Sequence, residues 1–238
     1  MKNTVTKTLV TAPLLQGVAL SGIVFASLVF AGNAMAYEKG DLLVRAGFTN
    51  VSPNDDASNI FAGGADLGVS LTVGSDTQLG LNIAYFVTDN INIEVLAATP
   101  FTHDVNFSVS DALGTGNRLG EVTHLPPSVT ANYYFMDASS AFQPYVGAGL
   151  NYTIFFDEEF TGANKQAGLT DLELDNSFGL TAQAGADYKI NEKWHINASV
   201  RWIDIDTEAN FKVGSASGKV NDIEIDPTVM TVSLGYTF

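Results

Sequence analysis

From Leu42 to the C terminus, apolar residues recur at every second position in eight separate stretches. In the first, Leu42, Val44, Ala46 and Phe48 alternate with Leu43, Arg45, Gly47 and Thr49. The same rhythm returns over Leu79–Tyr85, Ile91–Ala97, Val129–Phe135 and Val146–Ile154. It continues through Phe178–Tyr188, Trp194–Trp202 and Met230–Phe238. Period two sends alternate side chains to opposite faces of a strand, so each stretch predicts a strand with one apolar and one small or polar face.

The connections alternate as well. Thr88–Asn90, Met136–Ala141 and Asn191–Lys193 are short, whereas residues 50–76, 99–127, 157–175 and 207–226 form long ones. A soluble sandwich has no reason for such strict alternation, but a membrane barrel has. The predicted fold is therefore all-β, an eight-stranded antiparallel transmembrane β-barrel with short periplasmic turns and long extracellular loops. The aromatic residues agree with it. Tyr85, Tyr133, Tyr134, Phe135, Phe142, Tyr145, Tyr188, Trp194, Tyr236 and Phe238 fall beside the short turns. Phe48, Tyr152, Phe156, Phe178 and Trp202 fall at the opposite strand ends, as two interfacial belts would. Arg45, Glu94, Asp187 and Arg201 all fall on the inward faces, where a charge avoids the ~2–4 kcal/mol cost of lipid exposure at the midplane.

Ahead of the first strand, Lys2 and Lys7 precede a largely apolar run from Leu9 to Ala31, followed by Ala34-Met35-Ala36. Residues 1–36 are expected to be a cleavable secretory signal, leaving 37–238 as the barrel. Nothing after residue 37 approaches the ~20 continuous apolar residues of a spanning helix. The formal net charge of −15 argues against a nucleic-acid partner, and the absence of cysteine removes disulfides, Cys-ligated zinc and thiol chemistry.

Several segments resemble the OmpW family of outer-membrane proteins. They are Thr77-Gln78-Leu79-Gly80-Leu81, Leu96–Phe101 with His103, His124-Leu125-Pro126-Pro127, Pro144–Thr153, Asp204–Thr207 and the closing Gly235-Tyr236-Thr237-Phe238. The resemblance runs in the same order over nearly the whole of residues 37–238. It implies a barrel in the outer membrane of a Gram-negative cell, with an apolar lumen open outwards and a role in uptake of small hydrophobic molecules. Where family members often carry an aromatic residue this chain has Arg201, which implies a more polar or differently gated lumen. The terminal Phe238 resembles the signal read by the outer-membrane assembly machinery.

Eight strands enclose an interior about wide enough for side chains or one small ligand. Towards the periplasmic end, Arg45, Glu94, Tyr145 and Asp187, joined by Arg201, are expected to pair as a plug, with the inward glycines making space for them. Towards the outside, Leu96, Phe101, Leu125, Phe155 and Ile203 would line a guest pocket with Arg201 at the lumen. Ile60, Phe61, Val105, Phe107, Phe160, Leu169 and Phe211 would extend it or tie the loops together. Pro126 and Pro127 lack backbone N–H groups, so the ladder before the fourth strand is expected to be interrupted and to offer a lateral opening.

His103 and His124 flank one long connection and are expected to meet as polar partners rather than as metal ligands, and His195 to bond inside the barrel. The rows Asp204/Asp206 and Asp222/Glu224/Asp226 read as a solvated acidic rim. No nucleophile motif or phosphate loop is present, so the chain is not expected to be an enzyme or to hold a cofactor or metal. Expected partners are outer-membrane lipid, lipopolysaccharide and small hydrophobic solutes. A closed lumen would instead favour a structural or adhesive surface protein, a receptor for a host surface, a phage or a bacteriocin.

Overall fold

The computed structural model describes residues 37–238 apart from Asp55, Ser58, residues 109–112 and Ala138; the expected signal segment lies outside the described residues. Eight long strands form the barrel: β1 (Leu42–Ser52), β2 (Asp76–Phe86), β3 (Ile91–Ala98), β4 (Ser128–Tyr134), β5 (Phe142–Phe160), β6 (Ser177–Lys189), β7 (Trp194–Ile203) and β8 (Thr228–Thr237). Each pairs antiparallel with its sequence neighbours, and β1 pairs with β8, so the sheet closes without an edge. The closing register runs from Leu43 opposite Thr237 to Ser52 opposite Thr228.

The short turns at one end are held by local side-chain bonds. Asn191 Oδ1 accepts from the backbone N–H groups of Lys193 and Trp194, both at 2.9 Å, and Thr88 Oγ1 accepts from those of Asn90 and Ile91. Asn and Thr bond their own backbone in this way in tight turns.

Outward side chains of the barrel form a continuous apolar band. Phe48, Phe178 and Val232 are 67%, 68% and 61% exposed. A surface of this kind is incompatible with a water-soluble monomer and suits contact with lipid. The expected aromatic belts are present with two corrections. Tyr134 and Tyr145 do not face lipid; both are buried in the lumen, because they share the parity of the inward residues. Two consecutive tyrosines, Tyr133 and Tyr134, must point to opposite faces.

Beyond the belts the long connections are not loops but further strands. Phe101–Phe107 and Arg118–Leu125 make one hairpin, whose second strand pairs antiparallel with the outer end of β5. Asp206–Val213 and Ala216–Glu224 make a second, flanked by Leu169–Leu174 and Ile60–Ala62. A short helix, α1 (Gly162–Gln166), joins β5 to this second sheet, capped by Thr161 Oγ1, which accepts from Asn164 N.

Here the pattern turns inside out. In β3, Ile93 and Val95 are exposed while Asn92 and Glu94 are buried. In the hairpin above it, Phe101, Val105 and Phe107 are buried while Thr102 and Asp104 are exposed. Lipid outside the lower wall accepts apolar groups; water outside the upper wall drives them inwards. The largest apolar core therefore lies in the extracellular extension.

Candidate functional site: a polar seal beneath an apolar chamber

At the periplasmic end, Tyr37, Phe86 and Tyr134 are buried together in one aromatic cluster. The rings of Tyr37 and Phe86 stack with centroids 4.8 Å apart, and Tyr134 packs at 5.2 Å from Phe86. Above them lies a network of buried charge. Arg45 donates to Glu94 at 2.8 Å, to Asp187 at 2.7 Å, to the Tyr134 hydroxyl at 2.9 Å and to His195 Nε2 at 3.2 Å. Asp187 also accepts from the Tyr37 and Tyr134 hydroxyls and from Asn197. Glu94 in turn accepts from Arg201 at 2.8 Å and from Gln183 at 3.1 Å.

Two arginines thus alternate with two carboxylates across the lumen, and each charge is met by further hydrogen bonds, with Arg201 Nη1 alone among the guanidinium nitrogens of the pair buried without a partner. A buried ion group persists only with such satisfaction, since its desolvation is otherwise too costly. Lys189 adds an ammonium 3.8 Å from the Tyr37 ring centroid. The inward glycines here house large neighbours rather than empty space. A Cβ on Gly185 would overlap the Tyr145 ring, and one on Gly235 would overlap His195.

The interior above is apolar. A small cavity of about 70 Å³ is walled by Val51, Val105, Val122, Phe155 and Ile205, with His103 and His124 among the lining residues. A larger one of about 460 Å³ lies among Ile60, Phe107, Phe160, Leu169 and Phe211. Leu71, Leu119, Leu172 and Ala209 line both, so the two are neighbouring parts of one chamber.

The two histidines meet with Nε2 atoms 2.9 Å apart, and His103 Nδ1 lies 2.6 Å from the Gly74 carbonyl oxygen. Both belong to the extracellular hairpin. Burial pushes the His124 imidazolium down to about 3, helped by His103; burial also lowers His103, partly offset by the Gly74 carbonyl, Asp76 and Asp104.

One seam interrupts the wall. The ladder between β3 and β4 ends with Leu96 opposite Ser128, and the ladder of the hairpin above begins with Phe101 opposite His124. Between them Ala97–Pro100 and Leu125–Pro127 have no registered partner across the seam. Each edge is held from its other side. Thr99 N donates to Leu79 O, and Pro127 O accepts from Tyr152 N and Asn151 Nδ2. Leu79 pairs with Phe48, so Phe48 and Tyr152 set the height of the seam at the outer aromatic belt.

The candidate residues are therefore distributed as follows. Arg45, Glu94, Tyr145, Asp187 and Arg201 come together, with Arg201 in the polar network rather than the apolar chamber. Phe155 lines the small cavity, while Phe101 and Ile203 belong to the same apolar cluster behind it. Leu96 is buried and Leu125 half-buried, both outside that cluster at the seam. Pro126 is buried and Pro127 exposed. The reading from sequence missed Tyr37, Tyr134 and Gln183 in the seal; the inward parity of Tyr134 and Gln183 was available, whereas Tyr37 precedes every strand. It also missed Ile205, just past the seventh strand, and Val51, Leu71, Val122 and Ile223, whose alternation lies within segments expected to be loops. The carboxylates of Asp204, Asp206 and Asp226 converge to within 4.8 Å on the exposed side, and burial together with Asp204 and Asp226 raises Asp206.

Comparison with known proteins gives the same architecture. Outer membrane protein W of Vibrio cholerae is 49% identical over 203 residues, covering 85% of this chain and 91% of that protein. The dibenzothiophene metabolism operon protein PahQ of Pseudomonas aeruginosa is 26% identical over 203 residues, covering 84% of this chain and 90% of its own. The crystal structure of OprG from Pseudomonas aeruginosa superposes with a TM-score of 0.81 at 39% identity, covering 87% of this chain and 99% of that one. Outer membrane protein W and OprG are outer-membrane proteins of Gram-negative bacteria, and lipid is the medium around this barrel. With the OmpW family matching residues 38–238 and the closed eight-stranded wall in place, this chain belongs to the OmpW family of outer-membrane proteins.

Proposed function

We propose that the barrel takes small apolar molecules from outside the cell, holds them in the extracellular chamber and releases them sideways into the outer membrane. The observation that carries this reading is the stacking of an apolar chamber directly on a sealed polar layer. A guest that enters from above would have to leave its apolar surroundings and break the Arg45–Glu94–Asp187 network to continue downwards. The seam at Pro126 and Pro127, level with the lipid interface, is the less costly route. The name of PahQ links one relative to metabolism of an apolar aromatic compound, in keeping with such cargo.

Residues 1–36 act as the export leader, Phe238 engages the assembly machinery, and lipopolysaccharide surrounds the extracellular rim. The test uses vesicles with lipopolysaccharide in the outer leaflet and an apolar dye that fluoresces only in the bilayer. The protein accelerates dye arrival. Replacing Pro126 and Pro127 together with hydrogen-bonding residues slows that arrival without loss of the folded barrel; unchanged arrival overturns the lateral route.

A further inference from the structure

The chamber contains one polar anomaly. His124 Nδ1 is buried and has no hydrogen-bond partner. Its ring lies between apolar groups, 5.7 Å from the Phe101 centroid and 5.8 Å from that of Phe155.

The chemistry of this nitrogen follows from its neighbours. A carbonyl oxygen can only accept, so the 2.6 Å contact to Gly74 O requires the proton of His103 on Nδ1. In the neutral ring His103 Nε2 then carries a lone pair. The 2.9 Å contact between the two Nε2 atoms needs one proton, which His124 must supply. A neutral His124 with its proton on Nε2 has a bare lone pair at Nδ1. The chain of tautomers thus runs from a backbone carbonyl to a bare, covered acceptor on a histidine whose ring lines the apolar cavity. An orphaned acceptor in such surroundings gains from any donor brought to it, because its desolvation has already been incurred.

We infer that the extracellular chamber prefers apolar molecules carrying one neutral O–H or N–H donor, an alcohol or a phenol, with that group donating to His124 Nδ1. The inference rests on the uptake of apolar solutes proposed above and narrows it to a substrate class. A hydrocarbon or an ether leaves the nitrogen unpaired. A carboxylate brings charge and no donor, and is excluded more strongly. The apolar body of the ligand extends from the small cavity into the larger one, along the shared wall of Leu71, Leu119 and Leu172.

The test compares 4-butylphenol with its methyl ether, which keeps the apolar body and loses the donor. Binding to the protein in lipid nanodiscs is measured by equilibrium dialysis, after subtraction of partitioning into empty discs. One neutral hydrogen bond predicts that the phenol binds about fivefold tighter than the ether. His124→Phe brings the phenol to the affinity of the ether and leaves the ether within about twofold. Nitrogen-15 spectra of the unmodified protein give a second readout, independent of whether the variant folds. His124 Nδ1 resonates as an unprotonated nitrogen and shifts with the phenol but not with the ether. Equal affinities, or a protonated His124 Nδ1, overturn the donor preference while leaving apolar uptake standing. Binding of neither compound above empty discs overturns both.

Discussion

The two halves of the lumen are built from the same wall and have opposite interiors. In the periplasmic half, Arg45, Glu94, Asp187 and Arg201 fill the space with charge, and the apolar groups face out. In the extracellular half, Phe107, Val122, Phe155 and Phe211 fill it with hydrocarbon, and the polar groups face out. What differs is the medium on the other side of the wall. A strand must give its apolar face to lipid where there is lipid, which leaves its polar face to the lumen. Once it rises into water, the same alternation delivers the apolar face to the interior. An apolar chamber above a polar layer is thus a consequence of letting barrel strands outrun the membrane.

The halves should fail differently. Arg45→Ala leaves Glu94 and Asp187 buried without their shared cation. Loss of one partner from a buried ion network typically costs about 3–5 kcal/mol. Denaturant titration of the protein refolded into vesicles should register that loss as a lower midpoint. The hairpin of Phe101–Phe107 and Arg118–Leu125, remote from Arg45, should keep its native amide-exchange pattern before global unfolding.

Acid should act on the other half. His124 titrates near 6.5 when exposed and at about 3 when folded. The open hairpin therefore takes up a proton that the closed one refuses. The stability of the closed form is complete above about pH 6.5 and is lost progressively as pH falls towards about 3. At pH 4.5 the loss is about 3 kcal/mol. Protection factors of the Arg118–Leu125 amides, corrected for the intrinsic pH dependence of exchange, should fall accordingly between pH 7 and 4.5, and His124→Phe should remove most of that fall. A hairpin whose protection is the same at both values would contradict the buried neutral pair.

The sequence was most informative where one medium bounds a strand over its full length. Within the membrane, lipid demands an unbroken apolar face, so the period of two in segments such as Phe178–Tyr188 stands out and yields strand number, connection order and lumen parity. The extracellular hairpins carry the same period, as in Phe101, His103, Val105 and Phe107, but their outward face is polar and the segments read as loops. The members of the seal were legible as inward polar residues. Their pairing was not, because Arg45 reaches Glu94 and Asp187 across the lumen, and such contacts depend on the stagger of strands remote in sequence. Tyr134 shows the cost of reading aromatic residues by height alone. Its position beside a turn suits a belt, whereas its parity places it against Arg45.

The claim at the centre of this account is that the lumen is closed below the chamber. Single-molecule recording in planar bilayers measures that closure directly. The protein should insert without producing stable conducting steps in molar salt, since no ion can cross the Arg45 network with its partners in place. A steady ohmic current from each inserted barrel, retained when the extracellular hairpins are intact, would contradict the seal and with it the sideways route.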